Sequence, residues 1–193
     1  FLVLGFEKVE SNIEVLPEDG NIGDNILGVV TTPNTLAYNN ALEPRETMTD
    51  GVMGDVFFLL KEIDDHYLAH APEGYICYID KNSVSPMTPD QYQKQYNTVK
   101  FLVQRPFAHE DMIIPPGATL RVNDVDGQIL TVATPDGIEM EVDQDFGKVI
   151  HPSPAKSAIE AVDTAREFLG SDYVWGGKTV SGVDCSGLVQ ASY

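Results

Sequence analysis

Cys185 lies in an unusual stretch of chain: Tyr173-Val-Trp175-Gly176-Gly177-Lys-Thr-Val-Ser-Gly182-Val-Asp184-Cys185-Ser186-Gly187-Leu188-Val189-Gln190. Four glycines around one thiol let the backbone approach a ligand closely. Asp184 is a residue type that caps helices, which places Cys185 in the first turn of a helix running through Leu188 and Val189. The start of a helix carries partial positive charge and free N–H groups. That position favours a reactive thiolate, and the same N–H groups can hold an oxyanion. The Asp184 carboxylate opposes the first effect, so it is expected to point away from the sulfur. A cysteine in average surroundings would be a small core residue, but here the glycines and the preceding aromatic pair favour a nucleophile. The other cysteine, Cys77, has apolar neighbours in a strand pattern and is expected to be inert core. A Cys77–Cys185 disulfide would block catalysis and is not expected.

The elements around this stretch follow from periodicity. The first ~150 residues read mostly as strands and turns. Val52 to Leu60 is rich in β-branched and aromatic residues, and Tyr67 to Ala71, the turn Pro72 to Gly74, and Tyr75 to Ile79 follow it. Later come Gly117 to Val122, a turn at Asp124 to Gly127, Gln128 to Ala133, a turn at Thr134 to Gly137, and the strictly alternating Ile138 to Val142. Asp-Gly at 126–127 and at 136–137 signals hairpins. Thr88-Pro89-Asp90 opens a short helix through Tyr96. His151-Pro-Ser-Pro154 breaks the strand pattern and reads as a linker. A helix follows, with Ala158, Ala161, Val162, Ala165, Phe168 and Leu169 at helical spacing. Either Ser153 with Pro154, or Ser157 with Glu160 as a capping box, could start it, and Gly170 ends it.

Composition sets outer limits. The chain has 193 residues and 42% hydrophobic residues, enough for a packed protein of one large domain or two to three small ones. A formal net charge of -18 disfavours nucleic acid and anionic lipid as partners. No apolar run approaches the ~18 residues of a membrane span. Two cysteines make no disulfide framework. The apolar Phe1 to Phe6 is too short for a signal segment, and a chain starting without Met looks mature or trimmed.

The segment Ser157 to Tyr193 resembles the NlpC family of papain-like cysteine peptidases, which show Tyr-x-Trp-Gly-Gly, a short loop and Asp-Cys-Ser-Gly-Leu-Val. Every one of those positions is filled here. The two strand-rich blocks resemble bacterial Src-homology-3-like barrels, the first more closely than the second. The implied fold class is α+β: a first such barrel with an N-terminal extension over 1–87, a short helix and second barrel over 88–150, and a linker with the N-terminal part of the catalytic domain over 151–193.

The resemblance implies hydrolysis of peptidoglycan stem peptides, with Cys185 attacking and a His acting as base. The branch with Src-homology-3-like domains in front resembles γ-D-glutamyl-L-diamino-acid endopeptidases, which act on murein peptides with a free N-terminal L-Ala. In that branch Tyr173, Asp184 and Ser186 line the substrate site, Trp175 walls it, and the first barrel supplies a Glu and a Tyr, best matched by Glu46 and Tyr75. No cofactor or metal is implied. The implied location is the cell envelope or outside it, with cytoplasmic recycling as the other setting.

One departure stands out. The family's base follows the nucleophile, yet His66, His70, His109 and His151 all precede Cys185. Each reads as a surface or structural residue, and the base and the central strands are expected in further chain beyond Tyr193. A cell-wall peptide-binding module with an incomplete catalytic part is therefore the second reading. A third, an amidase or a lipid acyltransferase on the same scaffold, is weaker, because acyltransferase relatives place the His before the Cys.

Overall fold

In a computed structural model of the chain, the structure describes residues 10, 12–18, 20–152 and 158–192. The architecture is mixed α and β, mostly sheet.

Seven antiparallel strands build the first unit: β1 (Leu27–Val30), β2 (Asn34–Tyr38), β3 (Thr47–Val52), β4 (Val56–Ile63), β5 (His66–His70), β6 (Ile76–Asp80) and β7 (Val84–Met87). Their order in the sheet is β3-β2-β6-β5-β4-β1-β7. Alternate residues of neighbouring strands (Phe57 and Leu59, Tyr67 and Ala69, Cys77 and Ile79) face one core with Val30 and Ala37. This is the burial that period-two patterning leads one to expect.

Five strands form a second sheet, in the order β13-β12-β11-β8-β14: β8 (Lys100–Val103), β11 (Thr119–Asp126), β12 (Ile129–Ala133), β13 (Glu139–Asp143) and β14 (Gly147–Ile150). Beside it lies a hairpin of β9 (Phe107–His109) and β10 (Met112–Ile114). On β13, Met140 and Val142 are buried while Glu139 and Glu141 are exposed. Between the sheets runs α1 (Pro89–Tyr96), with a capping box at its start: Thr88 Oγ1 accepts the Gln91 amide at 3.2 Å and the Gln91 side chain accepts the Thr88 amide at 2.9 Å.

The two sheets share a joint. Val52, the last residue of β3, and Met53, just after it, belong to the core of the second sheet, and the Thr119 amide donates to the Met53 carbonyl at 2.9 Å.

Closed barrels were the expectation, and neither sheet closes among the described residues. In the first, β3 and β7 remain as edges. β7 leads straight into the Thr88 cap of α1, and the outer edge of β3 is used by a different partner: the Asp50 amide donates to the Gly176 carbonyl at 3.0 Å. The C-terminal segment thus takes up backbone donors that a barrel would give to its closing strand.

That segment comprises α2 (Ala158–Arg166), the short hairpin β15 (Lys178–Thr179) with β16 (Gly182–Val183), and α3 (Cys185–Ser192), with α2 packed on α3. The helix starts suggested at Ser153–Pro154 and at Ser157 lie outside the described residues. At its other end α2 stops short of Leu169. Residues 167–169 continue as a tighter turn, with Phe168 and Leu169 donating to the carbonyls three residues back, before Gly170 at φ +92°. No helix among the described residues is long and apolar enough to cross a membrane.

Candidate active site

Asp184 organises the nucleophile turn. Its Oδ1 accepts the Gly187 amide at 2.7 Å and the Ser186 hydroxyl at 2.8 Å, and its Oδ2 accepts the Gly176 amide at 2.9 Å. Its own amide donates to the Gly177 carbonyl, and its carbonyl takes the first helical bond from Leu188, both at 3.0 Å. Asp184 is therefore the N-cap of α3, and Cys185 is the first residue inside it. Both carboxylate oxygens point into the loop, so the capping charge is bound by donors of its own chain. Burial raises the Asp184 pKa, but the Gly187, Ser186 and Gly176 donors outweigh it and hold the carboxyl below its usual range.

Two glycines make the close packing possible. A Cβ on Gly187 would lie 2.1 Å from the Gly177 carbonyl oxygen, so the first turn of α3 rests directly on the Gly176-Gly177 backbone. Gly176 itself has φ +77°, and a Cβ added to it would lie 3.3 Å from the Thr47 methyl.

The loop is fastened to the first sheet by polar contacts. The Trp175 indole N–H donates to the Thr47 carbonyl at 3.1 Å, the Asp50 amide holds the Gly176 carbonyl, and the Lys178 ammonium pairs with Asp55 at 2.6 Å. Asp50 lies in this seam. Burial is the main reason its pKa rises from 3.8 to about 6, with Asn34 and Lys178 pulling it down and Asp55 pushing it up. The second sheet touches the segment differently, through Gln104, whose amide donates to both Glu167 oxygens. Where the two sheets and the C-terminal segment meet there is a cavity of about 370 Å³, lined among others by Glu73, Leu102, Phe168, Lys178 and Gln190. Gln190 and Ala191 of α3 line it and Cys185 does not.

The thiol of Cys185 is exposed. Cys77 is buried on β6, donates weakly to the Ala69 carbonyl, and has its pKa pushed up to about 12 by burial and by the Glu73 charge. No disulfide joins them.

The structure brings some of the sequence-derived residues together and leaves others apart. Ser186 is bound to Asp184. Tyr173 forms a bridge to Val183 and is 67% exposed, and Trp175 is 71% exposed, its indole spent on Thr47. Glu46 is exposed beside Thr47, its amide held by Asn39. Tyr75 begins the β6 side of the 72–75 turn and is exposed, with no hydrogen bond to the Cys185 loop among the described residues. His66 lies against Arg45, His70 and His151 are exposed, and none of the four histidines bonds to Cys185. Thr47, Asp50, Asp55 and Lys178 were not singled out from sequence. Their partners lie more than a hundred residues away along the chain, and no local pattern announces them.

Comparison with known proteins bears on this segment. The model of the NlpC/P60 family matches residues 170–193, and members of that family are cysteine peptidases. A solved NlpC/P60 family protein from Bacillus cereus overlays with a TM-score of 0.67 at 17% identity, covering 86% of this chain and 71% of its own. The shared fold therefore extends well beyond the matched motif. NlpC1 and NlpC2 from Trichomonas vaginalis overlay at TM-scores of 0.35 and 0.34, with 17% and 18% identity, over 95% and 87% of this chain. The chain spans 64% and 65% of those two proteins. No curated protein sequence matches the chain.

Proposed function

We propose that the chain carries the nucleophile part of a cysteine endopeptidase that cleaves the bond between γ-D-Glu and the diamino acid of peptidoglycan stem peptides, acting on peptides with a free N-terminal L-Ala. The observation that carries this reading is the exposed thiol of Cys185 at the first position of an Asp184-capped helix, within the stretch that matches the family. The chemistry follows from that placement. The thiolate adds to the scissile carbonyl, and the developing oxyanion is held by N–H groups at the start of α3. Collapse of the adduct breaks the C–N bond, the leaving amine takes a proton, and a thioester remains. Water then adds to the thioester, releasing the carboxylate and regenerating the thiol.

The base is assigned to a histidine other than His66, His70, His109 and His151, none of which shows a hydrogen bond to Cys185 among the described residues. Tyr173 and Trp175 are exposed in the loop that leads to Cys185, and Glu46 lies beside the strand to which Trp175 is pinned. These residues, with Ser186 and Tyr75, are the proposed substrate contacts. Asp184 is the proposed partner of the L-Ala ammonium through lone pairs not used by the loop. The two β-units are read as Src-homology-3-like modules on the strength of their strand and turn patterns, although neither is closed. The cell envelope is the location this substrate implies.

The test is hydrolysis of L-Ala-γ-D-Glu-diaminopimelate by the complete protein, by its Cys185→Ala variant and by the 193-residue chain alone. Cleavage by the first only is expected. Cleavage by the chain alone that disappears in Cys185→Ala would place the base among its own histidines. A binding module in place of an enzyme would hold the peptide and release no product from any of the three.

A further inference from the structure

One contact between the C-terminal segment and the first β-unit is ionic. The Lys178 ammonium lies 2.6 Å from Asp55 Oδ2, and the two side chains are 10% and 30% exposed. Asp55 is fixed before the lysine arrives, because the same oxygen accepts the Val52 amide at 3.0 Å at the sheet–sheet joint. Asp50, whose amide makes the Gly176 contact, also feels the Lys178 charge. The ammonium thus sits among carboxylates of the first unit, at the point where that unit's core hands over to the second.

Lys178 is on β15, and its backbone continues from Gly177. The Gly177 carbonyl receives the Asp184 amide, and the first turn of α3 is stacked on this stretch: a Cβ on Gly187 would meet Gly177 oxygen at 2.1 Å and the Lys178 Cβ at 3.0 Å. A shift of Lys178 is therefore passed through rigid backbone contacts to the cap of the nucleophile helix. Trp175 and Tyr173 are exposed, and the remaining contacts to β3 are single hydrogen bonds.

We propose that Lys178 is a positioning residue, whose ion pair with Asp55 sets the nucleophile turn at a fixed distance from the first β-unit and so completes a substrate site made from both. This rests on the endopeptidase reading for its effect on rate, but not for its effect on the loop. Taking one partner away leaves a mostly buried charge unpaired, so the consequence should exceed that of a surface ion pair.

The experiment uses Lys178→Met, Asp55→Asn, the double variant and Lys178→Arg in the complete protein. Two readouts are taken on each: hydrogen exchange of the Gly176 and Asp184 amides, and kcat and KM on the tripeptide. Each single variant is expected to speed exchange at both amides at least tenfold while β5 and β6 stay protected. Each is also expected to raise KM by about tenfold with a smaller fall in kcat. The double variant should resemble either single variant, and Lys178→Arg should recover most of the protection. Unchanged exchange in Lys178→Met, or additive effects in the double variant, would overturn the proposal. Altered exchange in a protein that hydrolyses nothing would sustain the positioning role and sink the endopeptidase reading instead. If Lys178→Met does not fold, Asp55→Asn decides, since the single amide oxygen of Asn can take the place of Oδ2 and accept the Val52 amide while the charge is lost.

Discussion

The core of the first sheet and the loop docked on its edge each hold one cysteine, and they are built by opposite means. Cys77 shares a core cluster with Phe57, Leu59, Ala69 and Ile79, all fully buried, and its thiol donates only weakly, to the Ala69 carbonyl. Around Cys185 the apolar side chains face outward and the structure is held by hydrogen bonds and one ion pair. Apolar burial is nondirectional and silences the thiol it surrounds. Directed donors leave the thiol open and make its surroundings depend on charge. The chain keeps its reactive sulfur where rigidity comes from polar contacts and its inert one where rigidity comes from packing.

The sharpest way to break this contrast is alkylation. Iodoacetamide at neutral pH should modify Cys185 in the native protein at least ~1,000-fold faster than Cys77, which must wait for opening of the sheet. Peptide mapping of the time course gives both rates. Comparable rates would mean that the first sheet opens readily or that the α3 turn shields its thiol.

A second comparison separates the cap from its charge. Asp184→Ala removes the acceptor of three donors and should cost about 1–2 kcal/mol of stability, seen as a lower unfolding midpoint in urea at constant slope. Asp184→Asn should recover most of that loss, because Asn caps about as well as Asp. On the tripeptide the order should reverse in kind: Asp184→Asn is expected to lose ~2–4 kcal/mol in kcat/KM against the free amine and far less against an N-acetylated substrate. Equal losses on the two substrates would confine Asp184 to the loop.

The same contrast explains which parts were legible in the sequence. The turn at 184–187, the Thr88 capping box and the alternation of β13 depend on neighbours within a few residues, so residue type and spacing specify them. The shared NlpC/P60 motif is local in the same way. The pinning of Trp175 to Thr47 joins residues 128 apart in sequence, and nothing at either end encodes the distance. For that reason the sequence shows Trp175 as an aromatic beside the nucleophile and does not show its hydrogen bond to Thr47. Barrel closure failed to appear for a related cause. Strand patterns show which face is buried, but the partner of the β3 edge is set by whichever chain reaches it first, here Gly176.

Asp50 gives the finest measure of the polar seam. Its folded pKa of about 6 lies above the ordinary value of 3.8, chiefly through burial, so the folded protein holds this proton more tightly than the unfolded chain. The stabilising contribution is therefore complete below pH ~4 and is lost as the pH rises through about 6. A displacement of this size corresponds to at most about 3 kcal/mol, and partial exposure to solvent reduces it to ~1–2 kcal/mol. Asp50→Asn keeps the side chain's shape and its neighbour Asn34 while removing the titration. Relative to the parent, the variant should gain ~1 kcal/mol or more at pH 7.5 and nothing at pH 4, measured by urea unfolding at both values. The Asp50 amide contact to Gly176 is unchanged by the substitution, so the loop should stay docked and Cys185 should alkylate at the parent rate at pH 7.5. A variant less stable at pH 7.5 would show that the attraction between Asp50 and Lys178 outweighs the burial of the carboxylate, and the seam would then be held by two ion pairs instead of one.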